Sequence, residues 1–242
     1  MELHRKTALV TGAAVRVGRE IALALAAKGA DILLHYRSSH AEAEETAAAV
    51  RALGIRCDTL QADLSVPADV ARLAEEALET GPVHVLVNSA SLFYKTPPNT
   101  VTESDWDTLL DANLKGPFLL SLALGKAMAA ERGGTIINIA DWSGFRPYRD
   151  YMPYCVSKGG LLTLTKALAR DFAPNVRANA VAPGPVLPPP DLSEEERLQV
   201  AKKTLLGRWG TPRDIAAAVV FLAENDFING TVLVVDGGRS IV

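Results

Sequence analysis

Short apolar runs alternate along the chain with longer stretches in which apolar residues recur every three or four positions. The short runs predict seven strands, at residues 7–12, 31–37, 55–63, 83–90, 134–140, 176–183 and 230–237. The longer stretches predict helices at residues 17–29, 40–54, 68–79, 102–112, 114–131, 154–172 and 212–225. Several of the strands are apolar at every position, which is typical of strands covered on both faces of a parallel sheet.

This alternation predicts an α/β fold. We expect one Rossmann-type, doubly wound domain spanning residues 1–242, with a seven-stranded parallel sheet and helices on both faces. The irregular stretch 183–210 contains prolines that exclude a central strand, and its middle favours a short charged helix. Because long insertions after a strand often cover ligands, we expect a substrate lid at about 185–210. A solvated surface excursion is the alternative.

Composition and charge narrow the functional classes. The 242 residues are 48% hydrophobic and 22% charged, and a net charge of −3 gives no electrostatic reason to bind nucleic acid or anionic lipid. The N-terminus lacks an apolar signal core, and no segment is apolar for long enough to cross a bilayer. Cys57 and Cys155 fit neither a disulfide framework nor a metal site. We therefore expect a cytoplasmic protein with free thiols and with no metal, nucleic-acid or membrane partner.

The first predicted strand ends in a glycine-containing loop, TGAAVRVG, at residues 11–18. Gly12 allows a tight turn and Gly18 lets the next helix pack closely on the strand, so that backbone N–H groups face a pyrophosphate. Arg16 stands where such loops commonly carry a third glycine. Its guanidinium can contact a phosphate or reach into the substrate cleft, with a solvent-facing arginine as the alternative. Glycines after a strand are often simple turns, but the following amphipathic helix favours a dinucleotide loop.

The ends of the next strands predict NADP(H) as the cofactor. An NAD-preferring site usually places an acid after the second strand, whereas this chain has Arg37 and Ser38, which suit a 2′-phosphate. Asp63, after the third strand, is placed to accept a hydrogen bond from the adenine amine. Asn88, after the fourth, can tie its loop to a neighbouring loop or contact the ribose.

A tyrosine and a lysine stand one helical turn apart in YMPYCVSK, residues 151–158. We expect the Lys158 ammonium to lower the pKa of Tyr154 from its usual value near ~10 and to hold the nicotinamide ribose. A tyrosine tuned in this way can protonate the atom opposite an incoming hydride. The same spacing of tyrosine and lysine also occurs by chance. It indicates a catalytic pair here because a candidate dinucleotide loop lies earlier in the chain.

These motifs resemble those of the short-chain dehydrogenase/reductase family along essentially the whole chain, through TGAAVRVG, ADLS, VNSAS, DANLKGPF, YCVSK, VAPGPV and VDGG. The resemblance implies that Tyr154 and Lys158 are catalytic and that Asn113 holds a water connecting Lys158 to solvent. The C-terminal helix and strand resemble the family's assembly surface, which implies a homotetramer; a buried core edge is the alternative. With the residues above, the resemblance implies cofactor contacts from Gly12, Arg16, Val17, Gly18, Arg37, Ser38, Asp63, Leu64, Asn88, Ala90, Tyr154, Lys158, Pro183, Gly184 and Val186.

Two positions depart from the family pattern. Arg16 replaces the middle glycine of the loop, and Asp141 stands thirteen residues before Tyr154, where most members have a serine. Ser143 lies two residues too late, although a loop shift could let it serve. Both departures resemble the pteridine reductase and dihydromonapterin reductase branch. That branch implies an NADPH-dependent reductase of a dihydropterin or dihydrofolate C=N bond, with Asp141 catalytic and with substrate contacts from Arg16, Ser91, Phe93, Asp141 and Tyr154.

The chemistry of a pterin explains why an aspartate suits it. Reducing C=N needs a proton on nitrogen, and Asp141 can accept from ring N–H groups or pass a proton through water, while Phe93 can stack a flat ring. A core position for Phe93 and a turn cap for Asp141 are the structural alternatives. Two other functions stay open: a ketone or 3-oxoacyl reductase in which Asp141 is a tolerated variant, and a catalytically silent nucleotide-binding module. The intact Asn113, Tyr154 and Lys158 weigh against the silent module.

Overall fold

The computed structural model of the chain describes residues 1–131, 133–188 and 192–242. It contains one seven-stranded sheet in which every pairing is parallel, in the order β3-β2-β1-β4-β5-β6-β7. This confirms the predicted fold class. The strands are β1 (Thr7–Val10), β2 (Asp31–Tyr36), β3 (Cys57–Gln61), β4 (Val85–Asn88), β5 (Gly134–Ile139), β6 (Val176–Pro183) and β7 (Val232–Val235).

Helices cover both faces of the sheet, as the sequence predicts. Buried residues of α1, α2 and α8 pack on one face, and buried residues of α3, α5 and α6 pack on the other. A π-helical turn, Asp111–Lys115, joins α4 to α5 where the sequence predicts a break. The helices are α1 (Arg16–Ala27), α2 (His40–Arg51), α3 (Pro67–Glu79), α4 (Glu103–Leu110), α5 (Gly116–Ala130), α6 (Met152–Asp171), α7 (Glu194–Lys202) and α8 (Pro212–Glu224).

The strand order reverses at β1, which pairs with β2 on one side and with β4 on the other. Ligands of such sheets bind beyond the carboxyl ends of these strands. Gly12 has φ +64°, and a Cβ added there would lie 2.8 Å from the Cα of Ala90. A Cβ at Gly18 would lie 2.2 Å from the carbonyl oxygen of Gly12. The loop after β1 thus needs both glycines, which confirms the predicted tight turn and close helix packing.

Two polar side chains hold this loop, and neither was expected from the sequence. Thr11 Oγ1 accepts hydrogen bonds from the N–H groups of Ser89 (2.9 Å) and Ala90 (3.0 Å). Buried His35 accepts at Nδ1 from the Gly12 N–H (3.1 Å), so its proton is on Nε2 and points to the Ala62 carbonyl oxygen (3.1 Å). The loops after β1, β3 and β4 are therefore tied together at the reversal point.

Most of the segment expected to form a lid lies within the described residues. Its short charged helix is α7, where Ser193 and Glu196 form a capping box, and no residue of α7 is buried. The Gly210 N–H donates to the Pro185 carbonyl oxygen (2.9 Å), which closes the base of the segment. Residues 189–191 of the expected lid lie outside the described residues, and the lid stays a prediction.

Both cysteines are buried and free, as predicted. Within the described ranges, no helix has the length and apolar character needed to cross a membrane.

We predict that His35→Asn will flatten the acid dependence of stability. Burial lowers the pKa of His35 to about 4, against a usual value of 6.5. Between these pH values the unfolded chain binds a proton that the folded chain does not bind. The free energy of unfolding therefore decreases as pH falls from about 6.5 to 4, by up to about 1.4 kcal/mol per pH unit. Asparagine can keep the hydrogen bond from the Gly12 N–H without titrating. Urea unfolding from pH 7 to 4.5 measures the difference, with the exposed His4→Asn as control. Parallel pH profiles for wild type and His35→Asn would show the prediction to be wrong.

Candidate active site

Asp141 lies at the carboxyl end of β5 and joins two elements of the site. Its Oδ1 accepts a hydrogen bond from the Ser143 N–H (2.7 Å), capping the 3₁₀ turn Trp142–Gly144. Its Oδ2 accepts from the Tyr154 hydroxyl (3.0 Å). The carboxylate therefore caps a turn and contacts the candidate catalytic tyrosine at the same time. The predicted turn cap and the predicted place beside Tyr154 are thus compatible.

Ser143 does not replace Asp141 beside Tyr154. Its side chain is fully buried, and Oγ lies close to Asp141 and Cys155 without forming a hydrogen bond of normal geometry to any described residue. The Tyr154 hydroxyl is instead directed to the Asp141 carboxylate.

Lys158 lies one turn after Tyr154 on α6, as the spacing predicts. Its Nζ donates to the Ile139 carbonyl oxygen (2.9 Å) and lies 5.7 Å from the centre of the Tyr154 ring. Burial lowers the pKa of Lys158 to about 8, while the negative charge of Asp141 acts in the opposite direction. An ammonium has three donors, so two remain for a ligand beside the single carbonyl contact.

The expected lowering of the Tyr154 pKa by Lys158 is wrong for the protein alone. Burial raises the pKa of Tyr154 well above its usual value, and the nearby charge of Asp141 raises it further. Burial also raises the pKa of Asp141, although the Ser143 N–H and the Lys158 charge oppose this. At neutral pH Tyr154 is therefore a protonated phenol, the form that can donate a proton.

Asn113 lies in the π-helical turn between α4 and α5 and is fully buried. Its Oδ1 accepts from the Leu92 N–H (2.7 Å), and its Nδ2 donates to the Leu92 carbonyl oxygen (2.9 Å) and to Ser157 Oγ (3.4 Å). The side chain thus fixes the loop after β4 against α6. The contact with a water stays a prediction.

An aromatic wall lies beside the tyrosine. Phe93 is 47% exposed, stacks on Tyr151 (centroids 4.6 Å apart) and meets Tyr154 edge-on (4.8 Å). Phe93 is therefore not a core residue. Tyr148 packs edge-on against Trp142, with ring centroids 5.2 Å apart. No role for Tyr148 was predicted from the sequence, although the many aromatic residues of segment 142–154 could have indicated one. Exposed Ser91 precedes Phe93 on the same loop.

Beside this wall is a cavity of about 470 Å³. Residues from the turn after β5 and from the start of α6 line it, including Ser143, Tyr148, Met152 and Cys155. The cavity leaves space next to the turn that Asp141 caps.

The first turn of α1 can receive an anion. It contains no acidic residue, and no side chain caps its N–H groups. Arg16 and Val17 begin the helix, and Arg16 is exposed with φ +55°, in the left-handed region that favours glycine. No hydrogen bond or ion pair joins the Arg16 side chain to a described residue. These features fit the pyrophosphate of a dinucleotide.

The loops after β2 and β3 lie close together. Arg37 and Ser38 are exposed at the end of β2, and the positive charge of Arg37 acts on Asp63. Burial tends to raise the pKa of Asp63, but two hydrogen bonds from Ser65 and the Arg37 charge together lower it. Asp63 is therefore ionised. The neighbouring Leu64 is buried.

The side chain of Asn88 ties strands together and does not face the cleft. Its Nδ2 donates to Ser121 Oγ (3.0 Å) and to Asn138 Oδ1 (2.8 Å), and the residue is buried. Its Oδ1 finds no partner among the described residues. These bonds run to β5 and α5 and not to a neighbouring loop, and the predicted ribose contact stays a prediction. A cofactor contact would have to come from the Asn88 backbone or from Ala90, whose N–H is held by Thr11.

Pro183 ends β6, and Gly184 and Val186 follow it, on the same edge of the sheet as Asp141. Gly184 donates its N–H to the Val235 carbonyl oxygen (2.9 Å), and a Cβ at Gly184 would lie 2.5 Å from the Cβ of Asp236. Val186 lines a cavity of about 120 Å³ at the base of the expected lid. The contacts of all three residues with a cofactor stay predictions.

Comparison with known proteins identifies the family. The family described as Enoyl-(Acyl carrier protein) reductase matches residues 12–240. A short-chain type dehydrogenase/reductase of Picea abies is 35% identical, over 98% of this chain and 93% of the relative. The 3-oxoacyl-acyl-carrier-protein reductase of Staphylococcus epidermidis is 34% identical, over 96% of this chain and 98% of the relative.

A solved structure agrees. The crystal structure of a blue fluorescent protein from a metagenomic library, in complex with NADPH, superposes with a TM-score of 0.92 at 36% identity and covers 99% of both chains. Together with the parallel sheet, the glycine loop at its reversal point and the Tyr154–Lys158 pair, these similarities show that the chain belongs to the short-chain dehydrogenase/reductase family of nicotinamide-dependent oxidoreductases.

Proposed function

We propose that the protein is an NADPH-dependent reductase of a carbonyl group, such as a ketone or a 3-oxoacyl thioester. The observation that carries the proposal is a buried, protonated Tyr154 hydroxyl at the strand ends, held by Asp141 at 3.0 Å. The similarity to a 3-oxoacyl-acyl-carrier-protein reductase supports a carbonyl substrate.

Each side chain of the site has a separate role in such a reaction. The cofactor, when bound, supplies hydride to the carbonyl carbon. Tyr154 donates its proton to the carbonyl oxygen, and the nearby Lys158 ammonium stabilises the negative charge left on the phenol. Burial raises the pKa of Asp141, and in its neutral form this carboxyl can donate to the substrate oxygen in the place of the family's serine.

Asp141 favours a second candidate, the reduction of a pterin C=N bond. An ionised Asp141 repels a carbonyl oxygen but accepts hydrogen bonds from the N–H and amino groups of a pterin ring. Phe93 offers a half-exposed aromatic face beside Tyr154 for a flat ring. The names of the relatives reported above include a carrier-protein reductase and no pterin, so the carbonyl proposal has the broader support.

The first experiment follows NADPH oxidation with four substrates: an acetoacetyl thioester of N-acetylcysteamine, an aromatic ketone, 7,8-dihydrobiopterin and dihydrofolate. We expect the wild type to reduce the carbonyl compounds, and Tyr154→Phe to lower kcat/KM at least about 100-fold through loss of the proton donor. We expect Asp141→Ser to keep or improve carbonyl turnover. Turnover of the pterins alone, abolished by Asp141→Ser, would establish the second candidate. NADPH binding without any turnover would favour the silent nucleotide-binding module.

The preference for NADPH over NADH is a separate proposal that depends on Arg37. Its exposed guanidinium follows β2 and has no hydrogen bond or ion pair to a described residue, so it is free to bind a 2′-phosphate. Arg37→Asp removes this contact and adds repulsion, and we expect the ratio of kcat/KM for NADPH to that for NADH to fall about 100-fold or more. The exposed Arg5→Asp is the control. An unchanged ratio in Arg37→Asp would contradict the proposal.

We also propose a homotetramer, supported by apolar side chains left exposed on and beside α8 and β7. Phe221 is 50% exposed, Phe227 is 99% exposed and Val234 is 38% exposed. Light scattering should give four times the chain mass of 25.8 kDa. Phe221→Glu should lower this mass, whereas Leu53→Glu, at an isolated exposed leucine, should not. A wild-type mass equal to that of one chain would exclude the tetramer.

A further inference from the structure

The segment after β7 places an arginine against the turn that Asp141 caps. The carboxylate of Asp236 accepts hydrogen bonds from the N–H groups of Gly238 (2.9 Å) and Ser240 (2.6 Å), which folds the segment into a short 3₁₀ turn. This turn sets the Arg239 guanidinium over the face of the Trp142 ring, 4.9 Å from its centre. The arginine is thus held by a cation–π contact, which leaves the N–H groups at the edge of its plane free.

Arg146 braces the same segment from the other side. It donates a hydrogen bond to the carbonyl oxygen of Val242, so that residues 239–242 are fastened to the turn after β5 at two points. A Cβ at Gly238 would lie 2.7 Å from Leu205, which follows α7 at the end of the expected lid. The segment therefore lies between the lid and the turn that carries Trp142.

Arg239, like Arg16 and Arg37, has no acidic partner among the described residues, whereas several other arginines have one. Arg51, Arg56 and Arg72 pair with Glu44, Asp58 and Asp69 at 3.5, 2.7 and 3.3 Å. Arg239 is half-buried, and nothing in the described part of the chain forms an ion pair or a side-chain hydrogen bond with it. The nearest acid in sequence, Asp236, uses both carboxylate oxygens on backbone N–H groups.

The place of this free cation relative to the reacting groups suggests its ligand. Trp142 directly follows Asp141, whose Oδ2 holds the Tyr154 hydroxyl. A guanidinium with a planar edge of free donors binds a carboxylate or a phosphate in a bidentate manner. Since the whole chain carries a net charge of −3, a preformed positive site at this position is not a general property of the surface.

We propose that Arg239, held over Trp142, binds an anionic group at the end of the substrate that lies away from the reacting bond. The anion is a carboxylate of the substrate itself or a phosphate of a carrier attached to it. The inference rests on the proposed function only in placing the substrate beside Asp141 and Tyr154.

The test measures binding, so that it does not depend on which substrate is reduced. Protein loaded with NADPH, which occupies the cofactor's own phosphate contacts, is titrated calorimetrically with benzoate, phenyl phosphate and neutral benzamide. We expect one of the two anions to bind more tightly than benzamide, and Arg239→Gln to weaken that anion at least about tenfold while leaving benzamide unchanged. Benzoate and phenyl phosphate distinguish a substrate carboxylate from a carrier phosphate.

Three variants sharpen the result. Arg239→Lys keeps the charge but not the planar donors and should bind the anion with intermediate affinity. Arg170→Gln removes an exposed arginine from the last turn of α6 and should bind like the wild type. Arg239→Ala provides the same comparison should the glutamine variant fail to fold. The proposal is overturned if the wild type binds neither anion more tightly than benzamide, or if Arg239→Gln binds the anion as tightly as the wild type. Because the test measures binding and not turnover, the measured affinities can be interpreted even if the carbonyl proposal is wrong.

Discussion

The carboxylate of Asp141 holds the backbone of the site and also contacts the candidate catalytic tyrosine. Through one oxygen it holds the turn after β5, and through the other it holds the Tyr154 hydroxyl on α6. The same charge raises the pKa of Tyr154 and opposes the lowering of the Lys158 pKa by burial. A serine at this position could orient the tyrosine but carries no charge to act on these ionisations. Burial and the Asp141 carboxylate thus set the ionisation of the site together, at one of the two positions that depart from the family pattern.

The scaffold around this group is fixed by close backbone approaches at the point where the strand order reverses. Gly12 lies against Ala90 and Gly18 against Gly12, so the loops after β1 and β4 leave no room for side chains between them. Thr11 and His35 satisfy backbone N–H groups that this crowding buries. The cofactor loop is therefore preformed by the protein, which is a condition for binding a dinucleotide without reorganisation.

The sequence predicts the fold well because the signals are local. Apolar runs give all seven strands, and the main error is at their ends; β1, expected to reach Gly12, stops at Val10. The spacing of Asp141, Tyr154 and Lys158 is readable because one strand and one helix carry all three. The roles of His35, Asn138, Trp142 and Tyr148 depend on partners from distant segments, which no local pattern shows. The direction of the Tyr154 pKa was missed for the same reason, since burial and the Asp141 contact arise only in the folded chain.

The left-handed backbone at Arg16 has a consequence for how this chain can change over generations. A non-glycine residue in that region costs on the order of 1 kcal/mol, which glycine would not incur. Codons for arginine and glycine differ by a single base, so the conformationally cheaper residue is one mutation away. An arginine at this position therefore carries a backbone cost that a contact of its side chain has to offset.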